Sequence, residues 1–136
     1  MLRKRKIASA DLGRMGERRA RWFYRFRGFR IAASNLHIAG GEIDLVARRG
    51  HLVVIAEVKT RQSLAAGHGF EAVGREKQRQ LVRIGGAYLA QLDDPRAELR
   101  YDIVSLFWTG RRFVVTHFPD AFRPVSDPRE PWKWRV

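Results

Sequence analysis

The alternation of apolar and polar positions is clearest between Gly41 and Arg61, GEIDLVARRGHLVVIAEVKTR. Val, Ile and Leu dominate two runs, Glu42 to Arg48 and His51 to Thr60, and Arg49-Gly50 supplies a turn between them, which predicts a β-hairpin. Upstream, Gly13, Glu17, Ala20, Tyr24 and Arg27 recur at spacings of three and four, widened by Trp22 and Phe23, and predict a helix over 11–27. Gly28 ends it. Phe29 to Asn35 forms the first strand, and Gly40-Gly41 turns into the hairpin. A second helix over 71–92 carries Val73, Lys77, Leu81, Ile84, Tyr88 and Leu92 on one face and breaks at Asp93-Asp94-Pro95. Arg100 to Trp108 and Arg112 to Phe118 make another hairpin, and the first of these strands is apolar on both faces, which predicts a central position. The order α-β-β-β-α-β-β implies an α/β fold, a mixed sheet flanked by helices. A flexible basic tail over 1–10 precedes one domain over 11–122, and an extension rich in Pro and charge follows over 123–136.

Strand alternation puts Glu42, Asp44 and Val46 on one face, with Ile43, Leu45 and Ala47 on the other; Val53, Ile55, Glu57 and Lys59 share a face of the next strand. If Arg48 pairs with His51 across a two-residue loop, Asp44 lies opposite Ile55 and Glu42 opposite Glu57. Asp44 and Glu57 are then diagonal neighbours ~7–8 Å apart at the backbone, and all the charges fall together. A three-residue loop without a bulge would separate them. Like charges opposed on a sheet are destabilising, and a divalent cation would offset that repulsion. Mg²⁺ takes carboxylate oxygens, and beside it a lysine ammonium can stabilise an oxyanion. A solvated carboxylate–lysine ladder is the plain structural alternative.

The net charge of +13 over 136 residues points to a polyanionic partner, nucleic acid before anionic membrane. Apolar content of 45% is enough for a single globular domain. With no cysteine, disulfides and thiolate metal sites are excluded. The basic first residues lead into no apolar stretch, and Leu52 to Ala56 is too short to span a bilayer, so a cytoplasmic protein is expected, without a membrane partner. Arg14, Arg18, Arg19, Arg21 and Arg25 coat the first helix as a phosphate-binding or solvated surface. His37, His51, His68 and His117 lack metal-ligand spacing and read as surface or structural. Gln62 to Phe70, with Gly67-His68-Gly69, reads as a loop beside the charged face, and Trp132 and Trp134 as stacking or self-docking residues.

An acidic residue on one strand followed by Glu-x-Lys on the next is similar to the PD-(D/E)xK nuclease signature of restriction endonucleases and Holliday-junction resolvases. More closely, the chain resembles the YraN family of bacterial endonuclease-like proteins. The matching pieces are Gly13, Gly16 and Glu17, Gly28, Asn35, GEIDL (41–45), EVKTR (57–61), the Gly69, Ala72-Val73, Lys77 series, RYDIV (100–104) and HFPDAF (117–122), with departures at Leu36-His37 and after Phe122. The resemblance implies a restriction-endonuclease-like αβββαβ core and a nuclease acting on DNA with Mg²⁺ or Mn²⁺. Asp44 and Glu57 would hold the metal with the Val58 carbonyl, and Lys59 would act on the attacking hydroxide. Glu17 and Glu42 are further acidic candidates. Arg61 and Lys77, with Arg14 and Arg18, would contact phosphates. For Glu17 an ion pair with Arg21, and for Lys77 snorkelling to solvent, are the alternatives. A homodimer follows only by analogy with resolvases. The rival reading is a nucleic-acid-binding protein without catalysis on the same scaffold.

Overall fold

The computed structural model describes residues 6–63, 73–124 and 133–134. Helix α1 (Ser9–Arg25) leads into strands β1 (Arg30–Ile38), β2 (Gly41–Arg49) and β3 (Leu52–Arg61). Helix α2 (Arg75–Gln91) crosses to β4 (Glu98–Trp108), which turns into β5 (Phe113–Arg123). Strand order follows chain order; β3 and β4 run parallel, and every other neighbouring pair is antiparallel. The expected mixed sheet with flanking helices is thus observed. The expected tail after Phe122 contributes a short strand, β6 (Lys133–Trp134), paired to Phe122 and Arg123. No helix among the described residues is long and apolar enough to cross a membrane. The loop around Gly67-His68-Gly69 and Trp132 lie outside the described residues, as do residues 1–5 of the basic tail.

The central strands divide their side chains between two cores. Val53 and Ile55 of β3, with Tyr101 and Ile103 of β4, pack under Leu81 and Ile84 of α2. Val54 and Ala56, with Val104 and Leu106, pack under Ala20, Phe23 and Tyr24 of α1. Burying each such aliphatic side chain contributes ~1.5–3 kcal/mol, so strands apolar on both faces are held from both sides. Two glycines set how near the helices come. A Cβ on Gly16 would lie 1.7 Å from Thr60 Cγ2, and one on Gly85 would lie 2.6 Å from the Tyr101 hydroxyl. The inward face of α1 is Leu12, Gly16, Ala20, Phe23 and Tyr24, one position away from the expected start at Gly13 and Glu17.

The central hairpin corrects the expected register. Arg49 pairs with Leu52 and Leu45 with Ala56, so the two-residue loop is Gly50-His51, not Arg49-Gly50. Gly50 takes φ +60°, which a glycine adopts without steric cost and the first position of such a loop requires. The β1–β2 turn likewise falls on Ala39-Gly40, both at positive φ, with Ile38 paired to Gly41. Strict alternation along β2 also fails: Ile43 joins Val46 in the α2-side core while Leu45 and Ala47 face α1. The break falls at Asp44. In β1 the position matching it is Asn35, a left-handed residue at φ +49°.

Candidate active site

Ladder pairing between β2 and β3 is recorded from Arg49↔Leu52 to Leu45↔Ala56 and goes no further. Continued by one step, that register would set Asp44 opposite Glu57. Instead the Asp44 side chain takes over a backbone role, its Oδ2 accepting a hydrogen bond from the Val58 N–H at 2.9 Å. The two strands therefore part where the acidic residues meet. Moving the turn by one residue shifts the register by two, which leaves side-chain parity unchanged. That is why Asp44 and Glu57 still come together, although their expected diagonal relation was wrong.

Glu57 follows Val53 and Ile55 on the α2 side of β3 and is only 4% exposed. Its Oε1 lies 3.3 Å from Lys59 Nζ and 3.9 Å from Lys77 Nζ. Its Oε2 is buried and, among the described residues, accepts no hydrogen bond. The Asp44 carboxyl is pushed up to about 7, first by burial and then by the charge of Glu57, against the opposing pull of the Val58 N–H. Near neutral pH Asp44 is poised between holding and releasing a proton. A buried carboxylate oxygen with no donor is costly. A cation bound between the two groups would satisfy it and favour the charged form of Asp44. These hard oxygen donors suit Mg²⁺ or Mn²⁺.

Lys77 reaches Glu57 from the first turn of α2, so it is part of this cluster and not a bystander. The other candidates have contacts of their own. Glu17 accepts a hydrogen bond from the Asn35 side chain at 3.1 Å, bridging α1 to the kinked residue of β1. Glu42 is exposed and pairs with His37 of β1, and the β2–β3 register, which would set Asp44 rather than Glu42 opposite Glu57, removes the expected Glu42–Glu57 opposition. Among the described residues no group of three or more His, Asp or Glu side chains gathers as a metal cluster. Arg61 ends β3 beside Phe107 of β4. Arg14 is ion-paired to Asp11 on the exposed side of α1, and Arg18 lines a groove on that helix's outer side.

A second buried acid was not singled out in the sequence. Asp102 of β4 is 1% exposed. It accepts hydrogen bonds from the Tyr24 hydroxyl at 2.8 Å, from Arg100 Nε and Nη2 at 2.8 and 2.9 Å, and from the Asp120 N–H at 2.9 Å. His117 Nε2 adds a contact at 2.8 Å. Burial opposes ionisation there, but the His117, Arg100 and Asp120 donors outweigh it and hold the carboxyl down at about 2. His117 is structural, as expected, with Phe23 and Tyr24 in edge-on contact. The only available signal was an acid inside the otherwise apolar strand run RYDIV.

The family model described as "Uncharacterised protein family UPF0102" matches residues 16–106. A UPF0102 protein of Syntrophotalea carbinolica is 40% identical over 112 residues, covering 82% of this chain and 91% of that protein. One from Chlorobaculum tepidum is 37% identical over 117 residues, again covering 82% and 91%. One from Symbiobacterium thermophilum is 41% identical over 98 residues, covering 72% and 83%.

Proposed function

The chain belongs to the UPF0102 family, the YraN family of the sequence resemblance, and from that premise we propose that it is a metal-dependent nuclease hydrolysing phosphodiesters in DNA. The observation that carries this reading is the Asp44–Glu57 pair: two carboxyls in contact, the half-buried Asp44 pushed up to about 7 and the buried Glu57 with an oxygen lacking a donor among the described residues. Such an arrangement opposes folding unless a ligand completes it. Asp44 and Glu57 would hold Mg²⁺ or Mn²⁺, with the Val58 carbonyl as a third donor by resemblance. The bound cation would neutralise phosphoryl charge and ease ionisation of a water.

The protein's own groups have separate tasks. Asp44 gives up its proton to become a ligand. Lys59, beside Glu57, donates to oxygen charge that develops in the transition state. Lys77 faces the same cluster from α2 and can meet a phosphate oxygen. Arg61 and the net charge of +13 draw the polyanion in.

The test is a cleavage panel of branched, nicked, single-stranded and duplex DNA with Mg²⁺ or Mn²⁺, run beside Asp44→Asn. Cleavage by the parent and none by the variant supports the reading. Tight binding without cleavage of any form overturns it in favour of a nucleic-acid-binding protein without catalysis.

A further inference from the structure

On the α1 side of the molecule, away from Glu57, a groove of about 660 Å³ runs between α1 and the β4–β5 turn. Its walls are Arg18, Arg19 and Trp22 from α1 and Trp108, Arg112 and Phe113 from the hairpin, with Met15 at one end. Among the described residues, no acidic side chain lines it. Trp22 is 44% exposed although it is among the largest apolar side chains in the protein. The Arg25 guanidinium lies 5.1 Å from its ring, and Phe26 supports it at 5.6 Å. Across the groove Trp108 rests on Phe113 at 5.0 Å. Helical periodicity alone would assign Trp22 to the core, so its exposure calls for a partner.

We propose that this groove binds unpaired nucleotides, their bases stacking on Trp22 and Trp108 and their phosphates meeting Arg18, Arg19 and Arg112. Flat indoles bracketed by guanidiniums match what a single strand presents, π-faces on a regular string of negative charge. A duplex shields its base faces and offers phosphates alone. An apolar protein partner would leave three arginines desolvated without counter-charge.

The groove also sits at the correct end of the sheet. Gly16 of α1 touches Thr60, and Phe107, next to Trp108, pairs with Arg61. The groove therefore opens beside the C-terminal end of β3, the strand that carries Glu57 and Lys59. An unpaired stretch held there would lie next to duplex or junction DNA presented to the acid pair. This use of the groove rests on the nuclease reading, whereas single-strand binding does not.

The two are separated by measuring affinity without divalent cations. A fluorescent single-stranded oligonucleotide and its duplex are titrated against the parent, Trp22→Ala and Arg18→Ala/Arg112→Ala, with thermal melts alongside. Stacking is worth ~1–3 kcal/mol per base, so Trp22→Ala should weaken single-strand binding ~5- to 150-fold. Duplex binding should change by less than about twofold, with the parent melting temperature retained. The arginine variant should reduce the slope of log affinity against log salt for single-strand binding by ~0.7 per lost phosphate contact. Unchanged single-strand affinity in both variants overturns the inference, as does equal loss on both DNA forms. Dissociation of a parent dimer by Trp22→Ala with single-strand affinity intact would also overturn it and assign the groove to self-association. An inactive parent whose single-strand binding depends on Trp22 would keep this inference and refute the nuclease reading. Cleavage of every DNA form at parent rates by Trp22→Ala, with its affinity unchanged, would do the reverse.

Discussion

Two desolvated acids lie on β2 and β4, either side of the central strand β3, and are treated in opposite ways. Asp102 is surrounded by donors from α1, β4 and β5, and its carboxyl is held at about 2. Asp44 has one backbone donor and a second carboxyl against it, and is pushed up to about 7. Burial acts on both. Only the number and charge of the partners differs, and that decides whether burial produces a fixed anion or a group ready to exchange its proton for a ligand. The first acid joins the layers of the fold. The second is left incomplete by the fold and depends on a ligand to complete it.

Asp102→Ala should cause the largest change. It strands the half-buried Arg100 and the buried Tyr24 hydroxyl, and removing one partner of a buried charged pair costs ~3–5 kcal/mol. Urea unfolding should show that loss. A midpoint near the parent's would mean the donors re-pair elsewhere and would remove half of the contrast.

Divalent cation should separate the two acids next. Mg²⁺ or Mn²⁺ at a hundred times its dissociation constant should stabilise the parent by ~2.7 kcal/mol. Asp44→Asn should lose that gain, read as an absent shift in melting temperature. Equal stabilisation of parent and variant would place the cation somewhere else.

The pH dependence of stability should carry both signs. Asp102 has a folded pKa below its unfolded one, so its contribution, ~2 kcal/mol, is present above about pH 4 and is lost as pH falls toward 2. Asp44 has a folded pKa above its unfolded one. The folded state then binds the extra proton between about pH 4 and 7, and cation-free stability falls as pH rises through that window. Unfolding free energies of the parent and Asp44→Asn, measured without metal, should diverge across it; parallel curves would show that Asp44 does not titrate there.

The smallest effect should be that of Asp44→Asn on cation-free stability below about pH 4, where the aspartic acid and the amide are both neutral. The near-isosteric exchange should change it by less than ~1 kcal/mol, while cleavage is lost. A destabilisation as large as that of Asp102→Ala would make Asp44 structural after all.

The unequal legibility of these two acids in the sequence has a physical basis. Asp44 and Glu57 lie on adjacent strands joined by a tight turn, so the hairpin brings them together even though alternation breaks at Asp44, and an even shift of register leaves that result intact. The register itself depended on which residue of Arg49-Gly50-His51 takes positive φ, which composition does not decide. The kink that sends Ile43 to the α2 side involves Asn35, one of the few non-glycine residues that tolerate the left-handed region. That hint was present, but its consequence needed the third strand. Asp102 gathers donors from as far away as Tyr24, 78 positions earlier, and no local pattern reports contacts at that range. Trp22 was misleading for a related reason: helical spacing identifies an apolar face but not whether a neighbour covers it.

The hydrogen bond from the Val58 N–H to Asp44 means that the site can be monitored from the backbone, without substrate or turnover. A main-chain proton aimed at a carboxylate experiences that group's charge directly. The Val58 amide resonance should titrate with Asp44 near pH 7, and added Mg²⁺ should move that titration to lower pH. In Asp44→Asn the resonance should stay flat across the range. One peptide group in the middle of the sheet would then report whether the acid pair holds a proton or a metal.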